Sequence, residues 1–253
     1  MTASERRKLI LLMINEKGYL NAGELSIQFG VDSSTIRRDL MLLENSGQVM
    51  RTHGGILPIA SSSHADTPYN VRRQMNGGAK SAIGHYAASL VQDGQSLILD
   101  NGSSVFELAL ALRDKKNLTI LTNDINTAFT LSQYPQITLH VAGGLMLDNV
   151  YTLVGQDTIS KIESMHVDWA FLGAEGVHYE QGLTNINTIE IPVKQAMIRA
   201  ADQTVVLADS SKMGYRALSH VCGLDKIDRV ITDNTQPIKQ RSKYGDKVHV
   251  IKI

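Results

Sequence analysis

Three small hydroxyl side chains, Ser33, Ser34 and Thr35, precede Arg37 and Arg38 with only Ile36 between. Hydroxyls and guanidinium groups at this spacing suit donation to phosphates and base edges, with the chain held close to a duplex. At about 100° per helical residue, Ile36, Leu40 and Leu43 share one side of a helix, Ser34 and Arg38 lie opposite, and Thr35 and Arg37 flank them. One face packs; the other is small, polar and cationic. A recognition helix enters the major groove by its N-terminal end, where bulky side chains would hold the backbone away from the bases. Arg51 and His53 follow on an extended stretch as candidate backbone or minor-groove contacts. The chemistry expected here is DNA reading.

A second group is spread over more than a hundred residues. Asp100-Asn101-Gly102-Ser103-Ser104 ends an apolar run and opens a helical pattern. Glycine lets the backbone approach an anion, the free N–H groups of a helix start point at it, and the serine hydroxyls add donors. Other polar loops follow apolar runs at Thr122-Asn123-Asp124, Gly143-Gly144, Gly173-Ala174-Glu175-Gly176 and Asp209-Ser210-Ser211-Lys212. Lys194 and Lys212 can supply positive charge, while Asp100, Asn123 and Glu175 can accept from sugar hydroxyls. The combination suits a phosphorylated sugar or polyol. Taken singly, each piece has an ordinary reading: Gly-Ser-Ser as turn chemistry, Asp209 as a cap, either lysine as solvated surface charge.

The elements that must carry these residues follow from periodicity. A helix from about Ser4 to Glu16 offers Leu9, Ile10, Met13 and Ile14 as a buried stripe and stops at Gly18. In the next helix Ala22, Leu25 and Phe29 keep helical spacing, Asn21 is its cap, and Gly30 ends it in a tight turn. Asp32 or Ser33 can cap the reading helix, although Thr35 stands where a capping box would need Glu or Gln. Behind it, Gln48 to Leu57 reads as two short strands meeting at Gly54-Gly55, a wing.

Further on, helical patterns over Lys80–Val91, Val105–Leu112, Ile125–Gln133, Leu153–Met165 and Ile189–Ala201 alternate with extended runs. Those runs are Ser96–Leu99, Leu118–Leu121, Ile137–Val141, Trp169–Leu172 and Thr204–Leu207, with later strands at Lys226–Thr232 and Lys247–Ile253. Such alternation predicts an α/β domain with a largely parallel sheet, whose ligands bind beyond the carboxyl ends of the strands. The division expected is a winged helix-turn-helix over 1–57, a Ser-rich linker over 58–75 and an effector domain over 76–253.

Composition narrows the classes further. With 25 Lys and Arg against 25 Asp and Glu in 253 residues, the chain is not built for nonspecific nucleic-acid coating. Up to Leu57 the basic residues exceed the acidic by only one, so the electrostatic case for DNA is local, and an oligomer that doubles the reading surface would compensate. Cys222 is the single cysteine, which excludes an internal disulfide or Cys-rich zinc site and fits a reducing cytoplasm. Arg6-Arg7-Lys8 before Leu9–Ile14 mimics a signal peptide, but the apolar run is too short. No run is long enough to span a bilayer. His85, His140, His166, His178, His220 and His249 show no metal-ligand spacing, and Gly143-Gly144 lacks the dinucleotide fingerprint. Neither metal nor cofactor is expected.

The stretch AGELSIQFGVDSSTIRRDL, followed by LENSGQVMRTHGGI, resembles the N-terminal signature of the DeoR family of bacterial sugar-metabolism regulators. ILDNGSS, LTNDINTA, VAGG, FLGAEGV, ADSSKMG and VITD are similar to that family's sensor domain and keep its order, so the resemblance runs from Glu5 to Asp233. Asp32, Ser104 and Ile56 stand where the family commonly has Ser, Thr and Ala. The resemblance implies an operon repressed until a metabolite binds, and the reader expected here is a homodimer or homotetramer in the cytoplasm. It also implies a sensor fold like those of sugar-phosphate isomerases and CoA transferases. That fold raises an alternative, an isomerase-like enzyme using Asp100, Glu175, Glu190 or Asp209 as a base. Fold alone does not assign such chemistry, and an attached helix-turn-helix has no role in it. A third class, an adaptor using the N-terminal module for protein contacts, would be indifferent to loss of Arg37 and Arg38.

Overall fold

A computed structural model of the protein describes residues 1–17, 19–46, 49–51, 55–58, 69–147 and 150–253. They form two compact units, Met1–Met75 and Asn76–Ile253.

The first unit contains α1 (Ala3–Lys17), β1 (Leu20–Asn21), α2 (Ala22–Phe29), α3 (Ser33–Asn45), β2 (Val49–Arg51), β3 (Gly55–Pro58) and α4 (Tyr69–Gln74). Ile10, Ile14, Leu25, Ile36, Leu40 and Leu43 form its core with Leu20, Val49 and Ile56 from the strands. The stripe of α1 differs from expectation. Leu9 is 43% exposed, whereas Arg6, one turn before Ile10, is buried; the inward face therefore runs Arg6, Ile10, Ile14 at four-residue intervals, and Leu9 sits to its side.

Asn21 caps α2 as expected, accepting from Gly23 N at 2.7 Å and Glu24 N at 3.4 Å. Gly30 ends that helix with φ 60°, a left-handed conformation glycine adopts without a Cβ clash. At α3 the expectation fails in part. Asp32 occupies the cap position but its side chain makes no capping bond, and Ser33 is already helical; Thr35 N donates instead to the Asp32 main-chain oxygen at 2.9 Å. The wing strands pair antiparallel, with β1 added on the far side of β3. A Cβ on Gly55 would lie 2.1 Å from Leu20 O, so glycine at this position admits β1 to the sheet. Gly18, Thr52 to Gly54 and residues 59–68, which carry the expected helix stop, wing turn and most of the linker, lie outside the described residues. Within the expected linker, Tyr69–Gln74 is helical.

The second unit contains α5 (Gly77–Leu90), β4 (Ser96–Leu99), α6 (Ser103–Ala111), β5 (Leu118–Thr122), α7 (Ile125–Leu131) and β6 (Ile137–Val141). The hairpin of β7 (Leu145–Leu147) and β8 (Thr152–Val154) follows, then α8 (Gln156–Glu163), β9 (Val167–Gly173), β10 (Gly176–His178) and β11 (Gly182–Asn185). The chain continues through α9 (Ile191–Arg199), β12 (Ala201–Leu207), β13 (Ser219–Cys222), β14 (Arg229–Asp233) and β15 (Val248–Ile251). Seven strands form a sheet in the order β15-β14-β12-β9-β4-β5-β6, and every pairing is parallel.

Alternate strand residues serve opposite layers. Leu97, Leu99, Phe171, Val205 and Leu207 pack with Ile83 and Ala87 of α5 and Val105 and Leu108 of α6. Ile98, Ala170, Leu172 and Val206 pack with Ile162 of α8 and Val193, Ala196 and Met197 of α9.

The helix expected from Leu153 begins only at Gln156, because Thr152–Val154 is a strand and Gly155 (φ 104°) breaks the chain between them. The small antiparallel sheet β10-β11-β13 carried no alternation long enough to register as strands. After β4 the chain adds β5 and β6 on one side, then returns to lay β9, β12, β14 and β15 on the other. The direction of winding reverses between β4 and β9, and it is at the carboxyl ends flanking such a switch point that parallel α/β sheets take their ligands.

Candidate functional site

Two sites take shape, one in each unit. In the first, Ser33, Ser34, Arg37 and Arg38 are exposed and Thr35 is half-buried, while Ile36, Leu40 and Leu43 point inward. Asp39, next to the two arginines, is 3% exposed and accepts from Arg6 Nε at 2.6 Å, with Arg7 Nη1 at 3.8 Å. This buried pair pins α3 to α1. Sequence reading passed over it, although a carboxylate at the i+3 position from Ile36 is visibly on the inward face. Arg51 lies on β2, and His53 lies outside the described residues. The arrangement presents a small, cationic helix start on a rigid three-helix base beside a β hairpin.

In the second unit the carboxyl end of β4 delivers Asp100, which is 1% exposed. Asp100 Oδ2 accepts from Gly173 N at 3.0 Å and from Lys194 Nζ, and that ammonium also donates to Gly173 O at 3.2 Å. One carboxylate thus joins β4, β9 and α9. Burial alone would lower the Lys194 pKa; the Asp100 charge, with Glu190 and Glu175 behind it, reverses this and raises it above the usual lysine range. Asp100 Oδ1 is buried and has no hydrogen-bond partner among the described residues.

The second lysine lies close by. Lys212 Nζ donates to Glu175 Oε2 at 3.0 Å, and Glu175 is within electrostatic reach of Lys194. Gly102 (φ 143°) starts α6, and a Cβ there would meet Gly173 Cα at 3.6 Å; a Cβ on Gly173 would lie 2.6 Å from Asn101 O. The β4 and β9 loops therefore touch backbone to backbone. Ser103 and Ser104 are buried in the first turn of α6, where N–H groups have no intrahelical partner.

Other predicted residues spread outward from this cluster. Thr122 donates to Leu99 O at 2.8 Å, one strand over. Asn123 donates to Thr152 Oγ1 and Leu153 O, and its buried Oδ1 has no partner among the described residues. Gly143 and Gly144 lie at the end of β6, two strands from β4, where a Cβ on Gly144 would strike Val154 O and Thr158 Oγ1.

Three participants were missed. Asn76, the first residue of this unit, donates to Asp209 Oδ1 at 3.0 Å, and Asp209 caps the Ser210–Lys212 turn. Asp233, at the end of β14, accepts from Ser210 N at 2.7 Å and Ser210 Oγ at 2.9 Å. Asn185 donates to the buried Glu190 at 3.0 Å. A terminal Asp in VITD was the only visible sign of any of them.

A winged helix-turn-helix joined to an α/β unit with a polar crevice defines a sensor-coupled, DNA-binding transcriptional regulator. Residues 6–62 match the DeoR-like helix-turn-helix domain and residues 75–234 the DeoR C terminal sensor domain, and the chain belongs to the DeoR family. It is a regulator rather than an enzyme. It is 34% identical to the HTH-type transcriptional regulator GolR of Listeria innocua, over 98% of both chains. With the glycerol-3-phosphate regulon repressor of Escherichia coli it shares 30% identity over 94% of each. With the HTH-type transcriptional repressor GlcR of Bacillus subtilis it shares 34%, over 92% of this chain and 89% of that one. Among solved structures, the ribose 5-phosphate isomerase A of Methanocaldococcus jannaschii aligns over 54% of each chain with a TM-score of 0.38 and 22% identity.

Proposed function

We propose that the protein represses a carbohydrate-utilisation operon, as a cytoplasmic homo-oligomer, and releases its operator when a phosphorylated sugar or polyol enters the β4–β9 crevice. The observation that carries this is the buried Asp100 Oδ1, an acceptor with no partner among the described residues, beside the N-terminus of a nine-residue helix that has no side-chain cap. A sugar hydroxyl satisfies the first and a phosphate the second. Lys212, only partly buried in its pair with Glu175, is placed to exchange that carboxylate for the phosphate. The repressor names of the relatives agree with this sign of regulation.

Ligand binding matters only if the ligand prefers one arrangement of the protein. Lys212 sits on the turn that Asp209 caps, and Asp209 holds Asn76, the residue at which the chain passes from the first unit. Drawing Lys212 toward a phosphate therefore strains a bond to the start of the sensor unit. Candidate phosphosugars titrated into the protein–operator complex test the model directly: one or more should weaken DNA binding, and a panel without effect removes the inducible reading for those compounds. A Ser103→Ala/Lys212→Ala variant should keep operator affinity yet respond weakly to the active ligand; a normal response would show that the phosphate lies elsewhere.

A further inference from the structure

The two edges of the seven-stranded sheet are treated differently. At one edge β15 is bracketed by Lys247 and Lys252, and His249 stacks on Tyr86 with ring centroids 4.4 Å apart. Lysines at an edge strand discourage pairing with another chain. The opposite edge, β6, has no such guard. From Ile125 to Leu147 the sequence holds no Asp, Glu, Lys or Arg, although charged residues make up 20% of the chain.

This segment, continued by the second strand of the hairpin, folds into one border. Ile125 and Phe129 are one turn apart on α7, and Ile125 N donates to Tyr151 O at 3.0 Å, joining α7 to the β7–β8 hairpin. The hairpin follows β6 after Ala142-Gly143-Gly144. Along that border Ile125, Phe129, Val141, Leu145, Met146 and Tyr151 are all exposed, Phe129 at 71% and Leu145 at 67%. Such a grouping of large apolar side chains marks an interaction surface.

We infer that the α7, β6 and β7–β8 border is the face through which a second copy of this chain docks, about a two-fold axis. In a two-fold contact each group meets a copy of itself or of its neighbour, so any net charge on the patch would oppose a like charge. The segment from Ile125 to Leu147, without Asp, Glu, Lys or Arg, meets that condition over α7, β6 and β7. The unguarded β6 edge also leaves main-chain N–H and C=O groups open to pairing across the axis. The inference rests on the homo-oligomer reading above and locates its contact.

Sedimentation velocity of the full chain across a range of protein concentrations tests both. The wild type should sediment as a dimer or larger assembly. Phe129→Glu and Leu145→Glu should each split it into smaller species with an association weakened at least about thirtyfold. A wild type that stays monomeric overturns the oligomer reading itself. An oligomer that survives both substitutions leaves that reading intact and overturns only this face. Hydrogen–deuterium exchange of the unmodified protein supplies the same answer where a variant fails to fold. Amides of 125–129 and 141–147 should gain protection as concentration drives assembly, and protection that does not change with concentration overturns the assignment.

Discussion

A buried ion pair stands out in each unit, Arg6–Asp39 and Asp100–Lys194, and the two do different work. In the first, Arg6–Asp39 is sunk between α1 and α3, while the arginines proposed to meet DNA, Arg37 and Arg38, stand outside in water. In the second, Asp100–Lys194 is itself part of the candidate site, with a carboxylate oxygen left over. A surface that reads a polyanion keeps its cations solvated and mobile until DNA arrives. A crevice that must recognise a small polar ligand holds its charges dry and preorganised, where each hydrogen bond counts for more. The difference teaches that, on the proposed reading, burial of charge serves support alone in the first unit and support together with recognition in the second.

The largest effects come from breaking the pairs. Lys194→Met strands the Asp100 charge and should destabilise the sensor unit by about 3–5 kcal/mol in urea unfolding; a loss under about 1 kcal/mol would show the pair to be unimportant for folding. The pH dependence has a definite sign. Because the Lys194 pKa is raised in the fold, its contribution is complete below the lysine value of 10.5 and is lost as pH rises through the higher folded value. The gap between wild type and variant should therefore stay constant from neutral pH to about 10 and narrow above it.

Asp39→Ala should cost a similar amount, about 3–5 kcal/mol, but within the small first unit, so operator binding should collapse while ligand binding to the sensor unit survives. Retained operator affinity would mean that α3 holds its place without the pair.

Arg37→Ala/Arg38→Ala inverts this pattern. Unfolding should not change, whereas operator affinity should fall by about 1–3 kcal/mol for each arginine that contacts a guanine bidentately. Unchanged affinity in a gel-shift or anisotropy titration would restore the adaptor reading.

The smallest effect separates the two caps of the reading motif. Asn21→Ala removes an acceptor of two N–H groups and should cost about 1 kcal/mol. Asp32→Ala removes no capping bond and should cost measurably less in the same thermal melts; equal losses would show that Asp32 caps α3 in solution.

Much of the reading motif was legible because a helix declares its faces every three or four residues. Asn21, Gly30, Ile36, Leu40 and Leu43 all do what their spacing implies. Leu9 failed because a window of local residues cannot tell which side of the apolar stripe a partner helix will cover, and Arg6 took the place through a partner 33 residues away. In the sensor unit the main strands and their polar ends were visible as apolar runs closed by Gly, Ser, Asn and Asp. The short strands β10, β11 and β13 were not, since three or four residues cannot display a period. Leu153 reads as helical because apolar residues continue past it at helical spacing; pairing with β7 across the hairpin, and Gly155 behind it, make Thr152–Val154 a strand.

By itself the sequence determined the types and order of most elements, the exposed arginines of α3 and the family, since all of these depend on neighbours in the chain and on motif order. Only the tertiary structure decided that Asp100 meets Lys194, 94 positions away, that Glu175 takes Lys212, and that Asn76 is tied to Asp209. These pairings depend on the order of strands in the sheet. Winding that reverses between β4 and β9 places their loops side by side, whereas β6, which ends in an equally glycine-rich loop, finishes two strands away. Backbone order across a sheet is set by long-range packing, and no local pattern of residues encodes it.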